Sequence, residues 1–159
     1  MKNSSKGFSL IELLIVVAII LIIAAIAIPN LLRSRIAANQ ASAVGSLRTL
    51  NTAEITYSST YNSGFSATML YLENGTSATP TSTTAGLIDS ILASGSKSGY
   101  SFTYSAAPTD SAGRIDNYAI TAVPINSSTG TNYYFTDQSG VIRQNSTTTA
   151  SSTDSPLAG

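Results

Sequence analysis

The residue with the clearest chemical consequence in this 159-residue chain is Glu12, a carboxylate within an otherwise apolar run from Phe8 to Ile28. At ~1.5 Å per residue, that run makes a helix of roughly 31 Å, which is long enough to cross the core of a bilayer. A lone charge in such a helix costs on the order of 2.5–3.5 kcal/mol. We therefore expect either that Glu12 lies near the membrane interface, or that it meets a positive charge when the helix leaves the lipid.

The residues before the apolar run indicate which explanation to prefer. An ordinary secretory signal is cut after its apolar stretch, whereas the candidate junction here, Gly7–Phe8, comes before it. The run K-G-F-S-L-I-E-L-L-I-V-V-A-I-I resembles the class III signal of type IV prepilins and of the related pseudopilins. The resemblance implies that a membrane-embedded prepilin peptidase removes residues 1–7 as a leader. It would cut between Gly7 and Phe8 and methylate the new Phe8 amine.

Glu12 and the Phe8 amine are suited to pair between subunits. Cleavage would remove Lys2 and Lys6 and leave Phe8 with a free α-amine, which is normally charged near neutral pH. In parallel helices staggered by about one turn, Glu12 of one subunit faces Phe8 of its neighbour. Such a pair compensates two charges that are each costly alone. The resemblance assigns this glutamate the same role in filament assembly. The alternative is a partly solvated interfacial carboxylate without a partner.

The amino-acid composition argues against several kinds of catalysis and ligand binding. The chain has no cysteine and no histidine, which excludes Cys-His and Ser-His-Asp catalysis and most transition-metal sites. Eight basic residues balance eight acidic ones, and no basic patch favours nucleic-acid binding. Asp110, Asp116 and Asp137 are conceivable calcium ligands, but without a dense D-x-D-x-D spacing they are better explained as solvated turn residues. We expect no enzyme, no cofactor and no metal.

The helix is predicted to run over residues 8–60, with the membrane anchor at 8–28. Pro29 is expected to kink it, because proline removes an N–H and crowds the preceding turn. One amphipathic face is predicted beyond the anchor, formed by Ile36, Ala43, Leu47, Leu50, Tyr57 and Tyr61. The polar residues Asn39, Gln40, Ser46, Arg48 and Asn51 are predicted on other faces.

Residues 61–143 are predicted to form a globular head. A short helix is expected over Ala85–Ala93. An antiparallel sheet of three to four strands is expected. Tyr100–Ser105 alternates aromatic and hydroxyl residues, and Tyr118–Val123 ends at Pro124, which suits a strand boundary. Tyr133–Thr136 and Val141–Arg143 flank a hairpin turn at Asp137–Gly140. One face of the sheet must cover the helix, since a lone small sheet is marginally stable. The expected fold is α+β, the plan of pilins, with the tyrosines and phenylalanines in its core. The Ser/Thr-rich residues 144–159 are predicted to form a mobile tail.

The resemblance predicts a polymerising structural protein, the major pilin of a type IV pilus that serves attachment, twitching motility or DNA uptake. Its partners would be lipid before assembly, the prepilin peptidase, an inner-membrane platform with an ATPase, and copies of itself through the N-terminal helices. The precursor would lie in the bacterial inner membrane and the mature protein in an extracellular filament. A pseudopilin of type II secretion, a minor pilin, and an anchored sugar- or ion-binding module remain as alternatives.

Overall fold

The computed structural model describes residues 7–75, 79–106, 110 and 113–157, so the expected leader lies outside the described residues except for Gly7. The chain divides into two compact units, with the boundary between Arg35 and Ile36. The first α-helix, α1, spans Leu10–Tyr61. It continues through Pro29, and the kink expected there stays a prediction.

The first unit is an uncovered apolar helix. Its large apolar side chains, from Phe8 to Leu32, are 43–80% exposed. An 18-residue window of α1 reaches a mean hydropathy of 3.3 with none of its residues buried. By length and composition, this helix is able to cross a membrane.

The second unit contains a five-stranded antiparallel meander in the order β1-β2-β3-β4-β5. The strands are β1 Ser96–Lys97, β2 Tyr100–Ala106, β3 Tyr118–Pro124, β4 Tyr133–Asp137 and β5 Arg143–Asn145. The α+β fold and the antiparallel pairing are confirmed, but the sheet has five strands instead of three to four. The additional strand, β1, has only two residues, too few to show an alternating pattern.

The last predicted strand is displaced along the chain. Val141 was expected to begin it, yet β5 begins at Arg143. The Val141 amide donates to Ser139 Oγ, and the Gly140 amide donates to the Asp137 carbonyl. Val141 therefore belongs to the hairpin turn.

The core of the second unit joins α1 to the sheet. Leu47 and Leu50 on α1 and Tyr100 and Ile120 on the sheet are fully buried. Ala43 and Tyr57 are also buried, which confirms most of the predicted apolar face. The placement of Ser46 and Asn51 on other faces was wrong, because both are buried. The buried stripe is wider than predicted because the sheet and the segment after α1 both supply partners for it.

The predicted helix over Ala85–Ala93 is shorter than expected. Only α2, Ser90–Ala93, is helical, and the Asp89 carboxylate caps it by accepting from the Leu92 amide at 2.9 Å. The amides of residues 85–88 instead donate to carbonyls of residues 71–73, around the 3₁₀ turn Met69–Leu72. Because these amides bond to carbonyls of residues 71–73, residues 85–88 do not form the first turns of a helix.

The prediction of a mobile C-terminal tail is wrong for the described residues 144–157. The Gln144 amide donates to the Ser155 carbonyl and the Leu157 amide donates to the Ile142 carbonyl, at 3.1 and 2.8 Å. Ala150 is buried. The polar composition was misleading because short polar side chains stabilise this turn: the Asp154 carboxylate accepts from Asn145 and from the Ser151 amide.

Candidate functional site

The start of α1 is closed by a reciprocal capping arrangement of Ser9 and Glu12. The Ser9 amide donates to Glu12 Oε2 at 2.9 Å, and the Ile11 amide donates to Ser9 Oγ at 3.3 Å. This is a capping box, in which the N-cap hydroxyl and the side chain three residues later satisfy otherwise unpaired amides. The spacing S-x-x-E in the sequence was the signal for it, and sequence reasoning missed it.

The cap itself does not compensate the charge of Glu12. Its partner is a neutral amide, and neither ion pair found among the described residues involves Glu12. Only Oε2 is used in the cap, and no hydrogen bond to Oε1 is found in the described part of the chain. A second, charged donor can therefore bind the same carboxylate without breaking the cap.

Gly7 and Phe8 precede the cap directly and are free of tertiary packing. A Cβ added at Gly7 would meet no atom of the described residues within 4 Å, and Phe8 is 77% exposed. Packing therefore does not require a glycine at position 7. The structure places Gly7, Phe8 and Glu12 within six consecutive residues at the beginning of α1, while their roles in cleavage, methylation and assembly stay predictions.

The candidate calcium ligands do not converge. Asp116 Oδ1 accepts from Arg114 Nε at 2.9 Å, and Asp137 Oδ1 accepts from the Ser139 amide at 2.9 Å. Asp110 Oδ1 accepts from the Arg114 amide. No group of three or more metal-binding side chains occurs among the described residues. The three aspartates act in turns and in a surface ion pair.

Most of the aromatic residues of the second unit lie in or against its core, as predicted. Tyr104 stacks on Tyr118 with ring centroids 6.0 Å apart, and Phe65 meets Tyr118 edge-on at 4.8 Å. Tyr100 is fully buried and donates its hydroxyl to the Asn132 carbonyl at 2.8 Å. Burial raises the pKa of Tyr100 to about 12. These geometries are those of ordinary core aromatic pairs.

A polar cluster that the sequence did not reveal joins α1 to the sheet. Asn51 Nδ2 donates to Thr136 Oγ1 at 2.9 Å and the Tyr118 hydroxyl donates to Asn51 Oδ1 at 3.0 Å. Asn51 Nδ2 also contacts the Gly140 carbonyl at 3.3 Å. All polar atoms of the Asn51 amide are therefore engaged, as a buried amide requires.

Residues 2–28 match the family described as prokaryotic N-terminal methylation motif. The chain is 67% identical over 39 residues to the "Type IV wide pilus major component PilA4" of Thermus thermophilus, covering 24% of this chain and 29% of that protein. It is 52% identical over 50 residues to the "Type IV major pilin protein PilA" of Myxococcus xanthus, covering 31% of this chain and 23% of that protein.

These matches confirm the resemblance to type IV pilins, and they are confined to part of each protein. The chain spans less than a third of the length of the curated relatives it matches. No solved structure matches the chain. The matched motif contains Gly7, Phe8 and Glu12 together with the apolar run to Ile28.

Proposed function

We propose that this chain is the structural subunit of a type IV pilus filament and acts as its major pilin. The observation that carries the proposal is the segment from Phe8 to Leu32, helical from Leu10. Its large apolar side chains are all uncovered, and its only acidic residue lies four residues after Phe8. Such a surface requires either lipid or copies of the same helix around it. The methylation motif and the two major pilins among the relatives support the same conclusion.

The subunit first resides in the inner membrane and then leaves it. Prepilin peptidase removes residues 1–7 and methylates Phe8, and a platform with an ATPase extracts the helix from the lipid. In the filament, Leu, Ile, Val and Ala side chains of neighbouring helices replace the lipid. Because lipid and neighbouring side chains are about equally apolar, this exchange gains little from the hydrophobic effect, and packing and polar pairing must drive it.

The carboxylate of Glu12 provides that pairing. Oε2 holds the cap on Ser9, and Oε1 receives the Phe8 amine of the neighbour. A subunit that docks out of register leaves both charges unpaired in an apolar environment, which costs several kcal/mol. The pair therefore selects the correct register.

N-terminal sequencing and mass measurement of protein sheared from the cell surface test the function. We expect long filaments whose main band begins at Phe8 and carries one methyl group. The variant Gly7→Arg should leave uncut precursor in the membrane, and since a side chain at position 7 meets nothing in the fold, that loss would report the peptidase. Surface protein that retains residues 1–7, or that never forms filaments, would refute the proposal.

A further inference from the structure

The second unit buries one carboxyl group completely. Glu54, on the buried stripe of α1, has no exposed surface. Its Oε2 accepts from the Ser66 amide at 2.9 Å, and its Oε1 lies 2.6 Å from Ser66 Oγ. Neither of the two ion pairs found among the described residues involves Glu54. Within the described part of the chain, no cation therefore compensates a charge at this position.

Among the described residues, the titratable groups that face Glu54 are all tyrosines. Tyr57 comes from α1, Tyr104 from β2 and Tyr118 from β3. Burial, together with the proximity of Glu54, raises the pKa of the Tyr104 and Tyr118 hydroxyls, so both are neutral. An ionised Glu54 would thus be a buried charge among neutral groups, which is among the most costly arrangements in a protein core.

The single hydrogen of the Ser66 hydroxyl also favours a protonated Glu54. Besides Glu54, Ser66 Oγ lies 3.0 Å from the Thr68 carbonyl, and a hydroxyl has only one hydrogen to give. If Glu54 is ionised, it takes that hydrogen and the contact with Thr68 has none. If Glu54 is protonated, it donates to Ser66 Oγ, which donates to Thr68, and both contacts become hydrogen bonds.

The Tyr104 hydroxyl does not change this count. It donates to the Ser66 carbonyl at 2.7 Å, so its own hydrogen is already used. It stands 3.3 Å from Ser66 Oγ, as a weaker acceptor for the same single hydrogen. The protonated carboxyl group is the state that satisfies the most polar atoms around Ser66.

We propose that Glu54 is a proton-binding site of the head: the folded protein holds it as a neutral carboxylic acid that links α1 through Ser66 to Thr68, at pH values where an exposed glutamate is ionised. The proposal does not depend on the proposed function. It makes folding of the second unit sensitive to pH through one residue.

The direction of that sensitivity follows from the burial. Desolvation raises the pKa of Glu54 above its ordinary value of 4.5, and the hydrogen bonds from Ser66, with the nearby Tyr104 hydroxyl, only partly oppose the shift. The folded state therefore binds a proton that the unfolded state has released. The stabilisation that the bound proton gives to the folded state is fully present below the ordinary pKa of a glutamate, and it is lost as the pH rises through the pKa of Glu54 in the folded state. Between these two pKa values, the unfolding equilibrium constant rises tenfold per pH unit.

Infrared spectroscopy of the full chain in detergent micelles tests the proposal directly. The C=O band of a protonated carboxyl should persist above the pH at which exposed carboxyl groups have lost theirs, and it should be absent in Glu54→Gln. Glutamine can donate to Ser66 Oγ and accept from the Ser66 amide, so we expect this variant to fold. Glu73→Gln is the matched control, because Glu73 is the other glutamate of the second unit and is only partly buried.

Urea unfolding followed by the tyrosine circular dichroism completes the test. In the wild type and in Glu73→Gln, the unfolding equilibrium constant should rise by up to tenfold per pH unit. In Glu54→Gln it should rise much less. A wild-type band that disappears together with those of exposed carboxyl groups would overturn the proposal. Equal pH dependence in wild type and Glu54→Gln would do the same. If Glu54→Gln does not fold, the band in the wild type and in Glu73→Gln decides alone.

Discussion

Glu12 has two binding tasks, and its two oxygens separate them. Oε2 accepts from the Ser9 amide and caps α1, while the proposed partner of Oε1 is the amine of a neighbouring Phe8. A loss of filaments after removal of Glu12 would therefore have two explanations, a frayed helix or a missing charge. Distinguishing them requires variants that affect one task at a time.

The variant Glu12→Gln removes the charge and keeps the cap, because glutamine also closes a capping box. We expect normal processing but at least tenfold less filament, since the neighbour's amine then remains unpaired in an apolar environment. Ser9→Ala is the control: it removes the acceptor for the Ile11 amide, at a cost of about 0.5–2 kcal/mol, and keeps the charge. Electron microscopy and immunoblots of sheared protein measure both. Normal filaments with Glu12→Gln, or their loss with Ser9→Ala, would contradict the charge-pair account.

Asn51 shows what residue types alone could not reveal. Its position in the sequence suggested a face of α1 other than the apolar one, yet it binds Thr136 and Tyr118 inside the head. The sequence did predict the apolar members of the face, because Leu47 and Leu50 recur at helical spacing. A buried polar residue follows no such periodicity, and its partners lie 67 and 85 residues away.

We predict that Asn51→Ala destabilises the second unit by about 1–3 kcal/mol, because the Tyr118 and Thr136 hydroxyls lose their buried partner. The nearby exposed variant Thr52→Ala should change the free energy of unfolding by less than about 0.5 kcal/mol. Urea unfolding of the full chain in micelles measures both. A cost for Asn51→Ala no larger than that for Thr52→Ala would show that the cluster contributes no stability.

At the scale of elements, the bounds of a helix or strand were predicted more accurately where its sequence pattern was longer. Strand β2 alternates aromatic and hydroxyl residues over six positions, and β3 follows from a mostly apolar run that ends at Pro124. The predicted bounds of both strands differ from the observed ones by one residue. The elements that differed were short or polar: β1, the helix now reduced to Ser90–Ala93, and the C-terminal segment. Backbone bonds between distant segments determine these, and no local periodicity encodes them.

The turn after α1 depends on Gly64. Gly64 has φ +84°, and a Cβ there would clash with the Ile115 carbonyl. Gly140 also has positive φ, +72°, but a Cβ there would meet nothing within 4 Å. The two glycines share a backbone conformation and differ only in their surroundings.

Gly64→Ala should therefore destabilise the second unit more than Gly140→Ala does. We expect about 1 kcal/mol at Gly140 from the left-handed conformation alone, and roughly 1–3 kcal/mol more at Gly64 from overpacking. The difference between the two midpoints of urea unfolding, multiplied by the m value, gives the free energy that the clash costs. Equal costs at both positions would mean that the backbone near Ile115 moves away freely.

At the scale of the whole molecule, the two units differ in what covers their apolar side chains. The second unit encloses its own core, including the fully buried Leu47 and Ile120. The first unit exposes Phe8 to Leu32 and so needs surroundings that the chain itself does not supply. The proposed removal of the leader would take away two of the eight basic residues and leave six against eight acidic residues. One of the charges that this cleavage would create is the Phe8 amine, the proposed partner of Glu12.

Zero-length carbodiimide crosslinking of filaments assembled from a mixture of ¹⁴N- and ¹⁵N-labelled subunits tests this pairing most directly. The reagent joins an amine to a carboxylate only where the two are in contact, and the mixed label distinguishes bonds between subunits from bonds within one. We predict a linked pair of peptides, one beginning at Phe8 and one containing Glu12, with mixed labels in filaments and absent from subunits dispersed in detergent. Intact filaments in which Phe8 and Glu12 are never linked between subunits would contradict the account.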